Sequence, residues 1–561
     1  MKYKLKGSQD SDVLEVVLKN RNICCIDKIL HPSVEETHYT LLDNIDIAID
    51  KFLYHCKNNS KIMIICDADT DGYTSSALLC NYMRELQLDP IIHLHSGKQH
   101  GITPDALKYI EEVNPQLIII PDASSSEGAT HELLISSGID LIILDHHEVE
   151  GASPAIIVNN QCSENFLNKG LSGVGIVYKF CQALDDKLGI KGFCNKFLDL
   201  VAVGNIGDVM DLRNLETRML CSMGLKNIQN PFFKALFEKE DLDDPTILDV
   251  GFKIAPLMNA IIRVGTMEEK KMMFDCLSGE EYPVTYKPRG KAETQQSLAD
   301  AVIRVGNNAK SRQRTATNKA MEYINKQIIE NEFEENKILI IDVTDEINKG
   351  VTGLVANKVA STYKRPVMLI HKLSEGLYAG SARSYGVPNL KDICTETGLF
   401  SLCAGHQESF GIEISPDNVD KVVNIFNEIF KDVEYNLSYE VDYIFEAKDL
   451  NKQTVETIGE FRHLWGNGID EPQFVIKNIK INSKDVRKIG FNIVGFTKND
   501  IFYAKNFATS NFINELTCRD EIGFGEANLV IDIIGKFKKD KYGSKVEIID
   551  YTSRIDTELI F

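Results

Sequence analysis

The chain has 561 residues, a length that divides over three or four ordinary domains, and its 43% hydrophobic and 26% charged content is usual for soluble globular proteins. Thirteen scattered cysteines without a Cys-x-x-Cys pair argue against zinc ribbons, iron–sulfur clusters and disulfide frameworks, and no stretch reads as a membrane span or secretory leader. A net charge of -20 argues against a passive nucleic-acid coat, although a local basic groove can still grip phosphates on an acidic protein.

Three continuous apolar runs fall in the first 150 residues: Ile62-Met-Ile-Ile-Cys66, Leu117-Ile-Ile-Ile120 and Leu141-Ile-Ile-Leu144. Continuous rather than alternating, they predict strands buried on both faces of a parallel sheet. Helical patterns at 75–86 and 104–113 separate them, so the fold class is α/β, doubly wound, with further helices at 175–188 and 196–203. The polar stretch 291–335 predicts a long exposed helix joining two domains. A second α/β unit follows, with strands at 338–341 and 366–370, helices at 352–363 and 417–430, and Gly380-Ser-Ala-Arg-Ser-Tyr-Gly386 between them. Strands at 473–481, 488–496, 501–507, 527–537 and 545–551 predict a small C-terminal β-barrel of the oligonucleotide-binding type. The expected domains are 1–285, a connecting helix at 286–335, 336–436 and 437–561.

All three buried runs stop at acids: Asp67-Ala-Asp69-Thr-Asp71-Gly72, then Asp122, then Asp145-His146-His147. Ligands of open parallel sheets bind outside the carboxyl ends of the strands, so these groups should converge. Packed together they would repel and desolvate one another unless cations neutralise them, and oxygen donors mixed with imidazole suit Mn²⁺ or Mg²⁺. A calcium-binding EF-hand fails as an alternative: Leu78 stands where that loop needs a glutamate, and a strand precedes it in place of a helix. Taken singly, Asp71 could cap a helix starting near Thr74.

Asp145-His146-His147 and the Asp67–Gly72 motif resemble the signatures of the DHH phosphoesterases, with Asp122 and Gly204-Asn-Ile-Gly-Asp208 resembling their second and fourth motifs. Within that family the chain is similar to the RecJ-type single-strand-specific exonucleases. Pro256-Leu-Met-Asn259-Ala-Ile-Ile-Arg263, Gly380-Ser381-Ala-Arg383-Ser384 and Ala404-Gly405-His406 resemble their substrate-holding segments. Leu464-Trp465-Gly-Asn-Gly-Ile-Asp-Glu-Pro472 resembles the entry to their oligonucleotide-binding barrel. Ala123, Ala404 and Asn348-Lys349-Gly350 depart from the pattern without removing a ligand.

The resemblance implies a DHH-type parallel-sheet domain, a DHH-associated second domain, and a metal-dependent exonuclease degrading single-stranded DNA from its 5′ end. It assigns Asp69, Asp71, Asp122, His146 and Asp208 to two Mn²⁺ or Mg²⁺ ions, with Asp122 bridging. Asp67 assists as an outer ligand or acceptor, Asp145 orients His146, and His147 contacts the scissile phosphate. Asn259, Arg263, Ser381, Arg383, Gly405 and His406 hold substrate.

Between Pro472 and Ser510, Lys477, Lys480, Lys484, Arg487, Lys488, Lys498 and Lys505 face only Asp485 and Asp500, with Phe496, Phe502, Tyr503 and Phe507 interleaved as candidates for base stacking. The expected partner is single-stranded DNA, without a membrane. A single-strand-binding protein or helicase is a candidate recruiter. The chain is expected to act as a monomer in the cytoplasm of a bacterial or phage-infected cell. Competing readings are a DHH phosphodiesterase acting on short oligonucleotides or cyclic dinucleotides, and a non-catalytic replication scaffold.

Overall fold

The computed structural model describes residues 1–97, 99–374, 376–433, 435, 438–490, 493–506, 514, 528–540 and 543–555. The chain opens on a short strand, Tyr3–Leu5 (β1), whose partner lies far along the sequence. A five-stranded sheet follows: Ile62–Cys66 (β2), Ile91–Leu94 (β3), Leu117–Pro121 (β4), Asp140–Asp145 (β5) and Ile156–Asn159 (β6), in the order β3-β2-β4-β5-β6. Every pairing is parallel. The continuous apolar runs have a direct cause. In β2, Ile62, Ile64 and Cys66 enter one core while Met63 and Ile65 enter the core on the opposite face. Burying each such Ile contributes about 1.5–3 kcal/mol, so neither face tolerates a polar residue.

Helices Thr70–Glu85 (α1), Pro104–Val113 (α2), Gly128–Ser136 (α3), Gly173–Leu188 (α4), Leu198–Gly207 (α5) and Ala255–Val264 (α6) surround this sheet. Helix α1 starts earlier than the sequence suggests. Asp69, not Asp71, is its cap, accepting from Gly72 N at 3.0 Å. The stretch expected to be helical from residue 291 begins as a hairpin, Val284–Tyr286 (β7) with Thr294–Gln296 (β8), turned at Pro288 and Gly290, whose φ is +74°. Ser297 then caps the 33-residue helix Leu298–Glu330 (α7), about 50 Å long. The helix is not exposed throughout: Leu298, Val302 and Ala309 pack into the first domain's core, and Ala320, Ile324 and Ile328 into the next domain's core.

The second domain's sheet comprises Leu339–Asp342 (β9), Val367–Lys372 (β10), Tyr378–Arg383 (β11), Phe400–His406 (β12) and Ser409–Ile414 (β13), ordered β12-β13-β11-β10-β9. Helices Thr352–Tyr363 (α8) and Pro416–Ile429 (α9) complete the domain. The glycine-rich Gly380–Arg383 segment is therefore strand, where the close packing of Gly380 against the Leu369 carbonyl excludes a side chain.

Beyond Tyr439–Val441 (β14), the C-terminal sheet contains Tyr443–Glu446 (β15), Phe474–Asn482 (β16), Arg487–Gly490 (β17), Ile493–Lys498 (β18), Ile501–Asn506 (β19), Asn528–Asp540 (β20) and Gly543–Ile555 (β21). Its order is β15-β16-β20-β21-β19-β18-β17, and only residues 483–486, with the turn Ser483–Asp485, separate β16 from β17. Phe496 and Tyr503, expected as stacking candidates, are core residues with rings stacked at 4.9 Å; Phe502 is half-buried, and Phe507 lies outside the described residues. Two of the cations are also engaged internally. Lys477 lies 5.8 Å from the Tyr3 ring, and Lys505 donates to the Ile549 carbonyl.

No local sequence pattern foretells how the first residues are placed. β1 pairs in parallel with β14, Val17 sits in the same core as Trp465, and Arg21 donates to both carboxylate oxygens of buried Asp442 at 2.7 and 3.0 Å.

Candidate active site

The carboxyl ends of β2, β4 and β5 deliver their acids to one crevice. Turning the chain there requires unusual backbone: Asp122 and Ser124 hold φ of +64° and +85°, and Val209, beside Asp208, holds +59°. Such non-glycine conformations cost roughly 1–3 kcal/mol each and persist where surrounding contacts fix them. Helix packing also depends on absent side chains. A Cβ on Gly173 would lie 2.4 Å from Asp122 Cβ, and one on Gly204 would lie 2.5 Å from Asp71 Oδ1. Both glycines let helices approach the carboxylates.

Asp71 is buried, with Oδ1 accepting from Ser172 Oγ at 3.0 Å and Val174 N at 3.2 Å. His146 Nε2 lies 3.2 Å from Asp122 Oδ1 and 3.4 Å from Asp208 Oδ2. Asp71 Oδ2, Asp122 Oδ1 and His146 Nε2 are buried and make no hydrogen bond among the described residues. Burial, followed by repulsion from neighbouring aspartates, drives Asp122 well above the usual carboxylate range and Asp208 up to about 8. Burial pushes Asp71 up to about 6 and His146 down to about 4. Buried lone pairs on mutually repelling acids, with a neutral imidazole among them, form a donor set short of positive charge.

Asp145 differs from its neighbours. It accepts from the backbone amides of Ser125, His146 and His147 and from His147 Nδ1 at 2.8 Å. Despite burial, its carboxyl lies below the ordinary range because His147 holds its proton, and His147 in turn rises to about 9. Where the sequence reading has Asp145 orienting the His146 ring, its hydrogen bonds go to the ring of His147 and to the backbone amide of His146. Asp67 is fixed by His100 Nδ1 at 2.6 Å and Gly101 N at 3.2 Å. His100 was not singled out from the sequence, since it stands in a loop with no apolar strand immediately before it. Glu127 was missed too; its carboxylate accepts from Ile102 N and Ser124 Oγ, tying the His100 loop to the turn after Asp122. Three groups of potential ligand atoms each lie within 4.8 Å: Asp122, Asp145, His146 and His147; Asp71, His146 and Asp208; and Asp67, Asp69 and His100.

The expected substrate residues lie on α6, β11 and β12. Arg263, on α6, is close enough to feel Asp69, and Arg383 is pushed down to about 10 by burial and by Arg263 beside it. Asn259 lies one turn before Arg263. Ser381 shares β11 with Arg383, whose guanidinium lies against Gly353 of α8. Gly405, with φ +125°, precedes His406 at the end of β12.

The DHH family, N-terminal domain, matches residues 61–205. Along nearly its whole length the chain is 38% identical to a Bacillus subtilis (strain 168) protein bearing the name SPbeta prophage-derived single-strand DNA-specific exonuclease YorK, over 97% of this chain and 96% of the relative. The chain belongs to the DHH family, on its RecJ branch. The single-stranded-DNA-specific exonuclease RecJ of Bacillus subtilis is 27% identical over 90% of this chain and 60% of its own length. Among solved structures, RecJ of Thermus thermophilus in complex with Mn²⁺ shares the fold, with a TM-score of 0.71 at 18% identity over 96% of this chain and 76% of that one. The same protein has also been solved with Mg²⁺. Among the described residues, no helix of this DHH protein is long and apolar enough to cross a membrane.

Proposed function

We propose that this RecJ-branch protein is a divalent-metal-dependent exonuclease that hydrolyses single-stranded DNA 5′ to 3′ and releases mononucleotides. The observation that carries the reading is the set of buried, unpartnered donors on Asp71, Asp122 and His146, with Asp208 beside them and Arg263 and Arg383 bordering the same cleft. Oxygen-rich donors with one imidazole fit hard divalent cations, so Asp69, Asp71, Asp122, His146 and Asp208 would hold two Mn²⁺ or Mg²⁺ ions. Once bound, the ions supply Lewis acidity that polarises a water and the phosphoryl group.

The chain's own residues do the rest. His147, kept protonated near neutral pH by Asp145, donates to a non-bridging phosphate oxygen as negative charge grows there. Arg263 and Arg383 grip neighbouring phosphates, and an anion between them removes their mutual repulsion. Asn259, Ser381, Gly405 and His406 complete the grip, and Asp67 acts as an acceptor that steadies the first loop. The order β16-β20-β21-β19-β18-β17, with β16 and β17 parts of one run, supports an oligonucleotide-binding barrel at 437–561, joined by the N-terminal segment. In this reading the protein acts as a monomer in the cytoplasm of a bacterial or phage-infected cell, where a single-strand-binding protein or helicase recruits it.

The test presents purified protein with a labelled single strand, the matching duplex and a dinucleotide, with Mn²⁺, Mg²⁺ or chelator. Metal-dependent mononucleotide release from the single strand alone is expected. Preference for the dinucleotide, or no hydrolysis of anything, overturns the reading.

A further inference from the structure

The middle of α7 is a chemical exception in an acidic protein. Between Asp300 and Glu322 it carries Arg304, Lys310, Arg312, Arg314 and Lys319 and no acid. Two of these are occupied: Arg304 lies over the Tyr286 ring at 4.1 Å, and Arg312 pairs with Glu269 at 2.5 Å. Lys310 and Arg314 are exposed, and their side chains make no hydrogen bond or ion pair with another described residue. Spaced four apart, they stand on one helix face. That face forms a wall of a groove of about 470 Å³, closed on its other sides by Pro256 at the start of α6 and by Leu354 and Lys358 of α8. Every remaining lining side chain is an amide or hydroxyl, and no carboxylate is present among the described residues that line it. Lys358 is held toward the helix by Asn318 Oδ1 at 3.1 Å.

The groove is connected to the catalytic cleft by both of its flanking helices. On α6, Pro256, Asn259 and Arg263 follow one another along one face. On α8, Leu354 adjoins Gly353, against which the Arg383 guanidinium rests. Cationic heads, neutral donors and a small apolar floor suit a chain of phosphodiesters whose sugars or bases touch Pro256 and Leu354.

We infer that this groove is a second binding site for the phosphate backbone of single-stranded nucleic acid, engaging a stretch of the substrate beyond the nucleotides gripped at Arg263 and Arg383. The inference rests on the exonuclease reading for the identity of the strand. It would make the protein favour long strands over short ones.

The experiment compares wild type with a Lys310→Ala, Arg314→Ala, Lys358→Ala triple variant, all surface positions, checked for unchanged melting. Fluorescence anisotropy without divalent metal gives affinities for a 4-nucleotide strand, a 20-nucleotide strand and a 20-base-pair duplex across a salt series. The triple variant should lose about tenfold affinity for the long strand and about 2 from its salt slope, at ~0.7 per single-strand phosphate contact, while binding and cleaving the short strand as wild type does. An unchanged long-strand affinity and slope overturns the site, and an equal loss on duplex overturns its single-strand character. If wild type hydrolyses no strand with Mn²⁺, the exonuclease reading fails; the binding comparison still decides the groove.

Discussion

His100 Nδ1 lies 2.6 Å from Asp67 Oδ2, and among the described residues the other donor to that buried carboxylate is the Gly101 amide. A histidine from the loop after β3 therefore fixes the first acid of the first motif. Outer partners of metal ligands are typically worth ~10–100-fold in affinity. His100→Ala should weaken Mn²⁺ binding by about tenfold in titration calorimetry, and His100→Asn, whose amide can replace the Nδ1 donor, should recover part of the loss. Melting temperature should barely move. Unchanged Mn²⁺ affinity in the alanine variant removes His100 from the site.

The carboxyl shifts give a pH dependence of defined sign. Asp208, at about 8, and Asp71, at about 6, lie above the ~4 of an unfolded aspartate, so the native metal-free protein binds protons that the unfolded chain does not. The stability this contributes is fully present only below the unfolded value and is lost as pH rises through 6 and 8. Metal ions require the deprotonated acids, so their stabilisation runs the other way. Scanning calorimetry at pH 6 and pH 8, with Mn²⁺ or chelator, should show the larger gain in Tm at pH 8. Equal gains would mean these acids do not hold the ions.

Gly173 faces Asp122 so closely that any side chain must move one of them. Displacing a reacting group by about 1 Å costs ~100-fold in rate. Gly173→Ala should therefore lower kcat by about two orders of magnitude while circular dichroism stays native. An active Gly173→Ala enzyme would show that Asp122 need not sit where it does.

Arg21 and Asp442 form a buried, bidentate pair beside Trp465, the only tryptophan in the chain. Breaking such a pair by removing one partner costs roughly 3–5 kcal/mol. Arg21→Ala should lower the denaturation midpoint followed by Trp465 fluorescence, with little effect on hydrolysis of a 4-nucleotide single strand. A midpoint within error of wild type would show that the N-terminal segment is only loosely held.

Much of this was readable in the sequence where burial is complete. β2, β4 and β5 are walled by hydrophobic cores on both faces, so their sequences had to be unbroken apolar runs, and the acids ending them had to meet. β3, interrupted by His93 and lying at the sheet edge, was not visible; nor was β6 at the other edge. The start of α1 was misplaced because Asp-Thr-Asp-Gly reads as a turn. In the fold, Gly72 is needed for the helix to pass the Asp67 carbonyl, 2.5 Å from where its Cβ would be. Phe496 and Tyr503 looked like stacking platforms because aromatic residues suit both a barrel core and a base, and only packing separates those uses. Pairings between residues hundreds of positions apart leave no local signal at all.

The strand Tyr3–Leu5 waits for Tyr439–Val441. On the ribosome, which completes chains at about 5–20 residues per second, the first segment emerges early and stays without its partner for tens of seconds. The catalytic core can close during that interval. The segment from Tyr3 to Arg21 is thus among the last of the described parts to be seated, and the arrival of residue 442 brings the carboxylate that Arg21 grips.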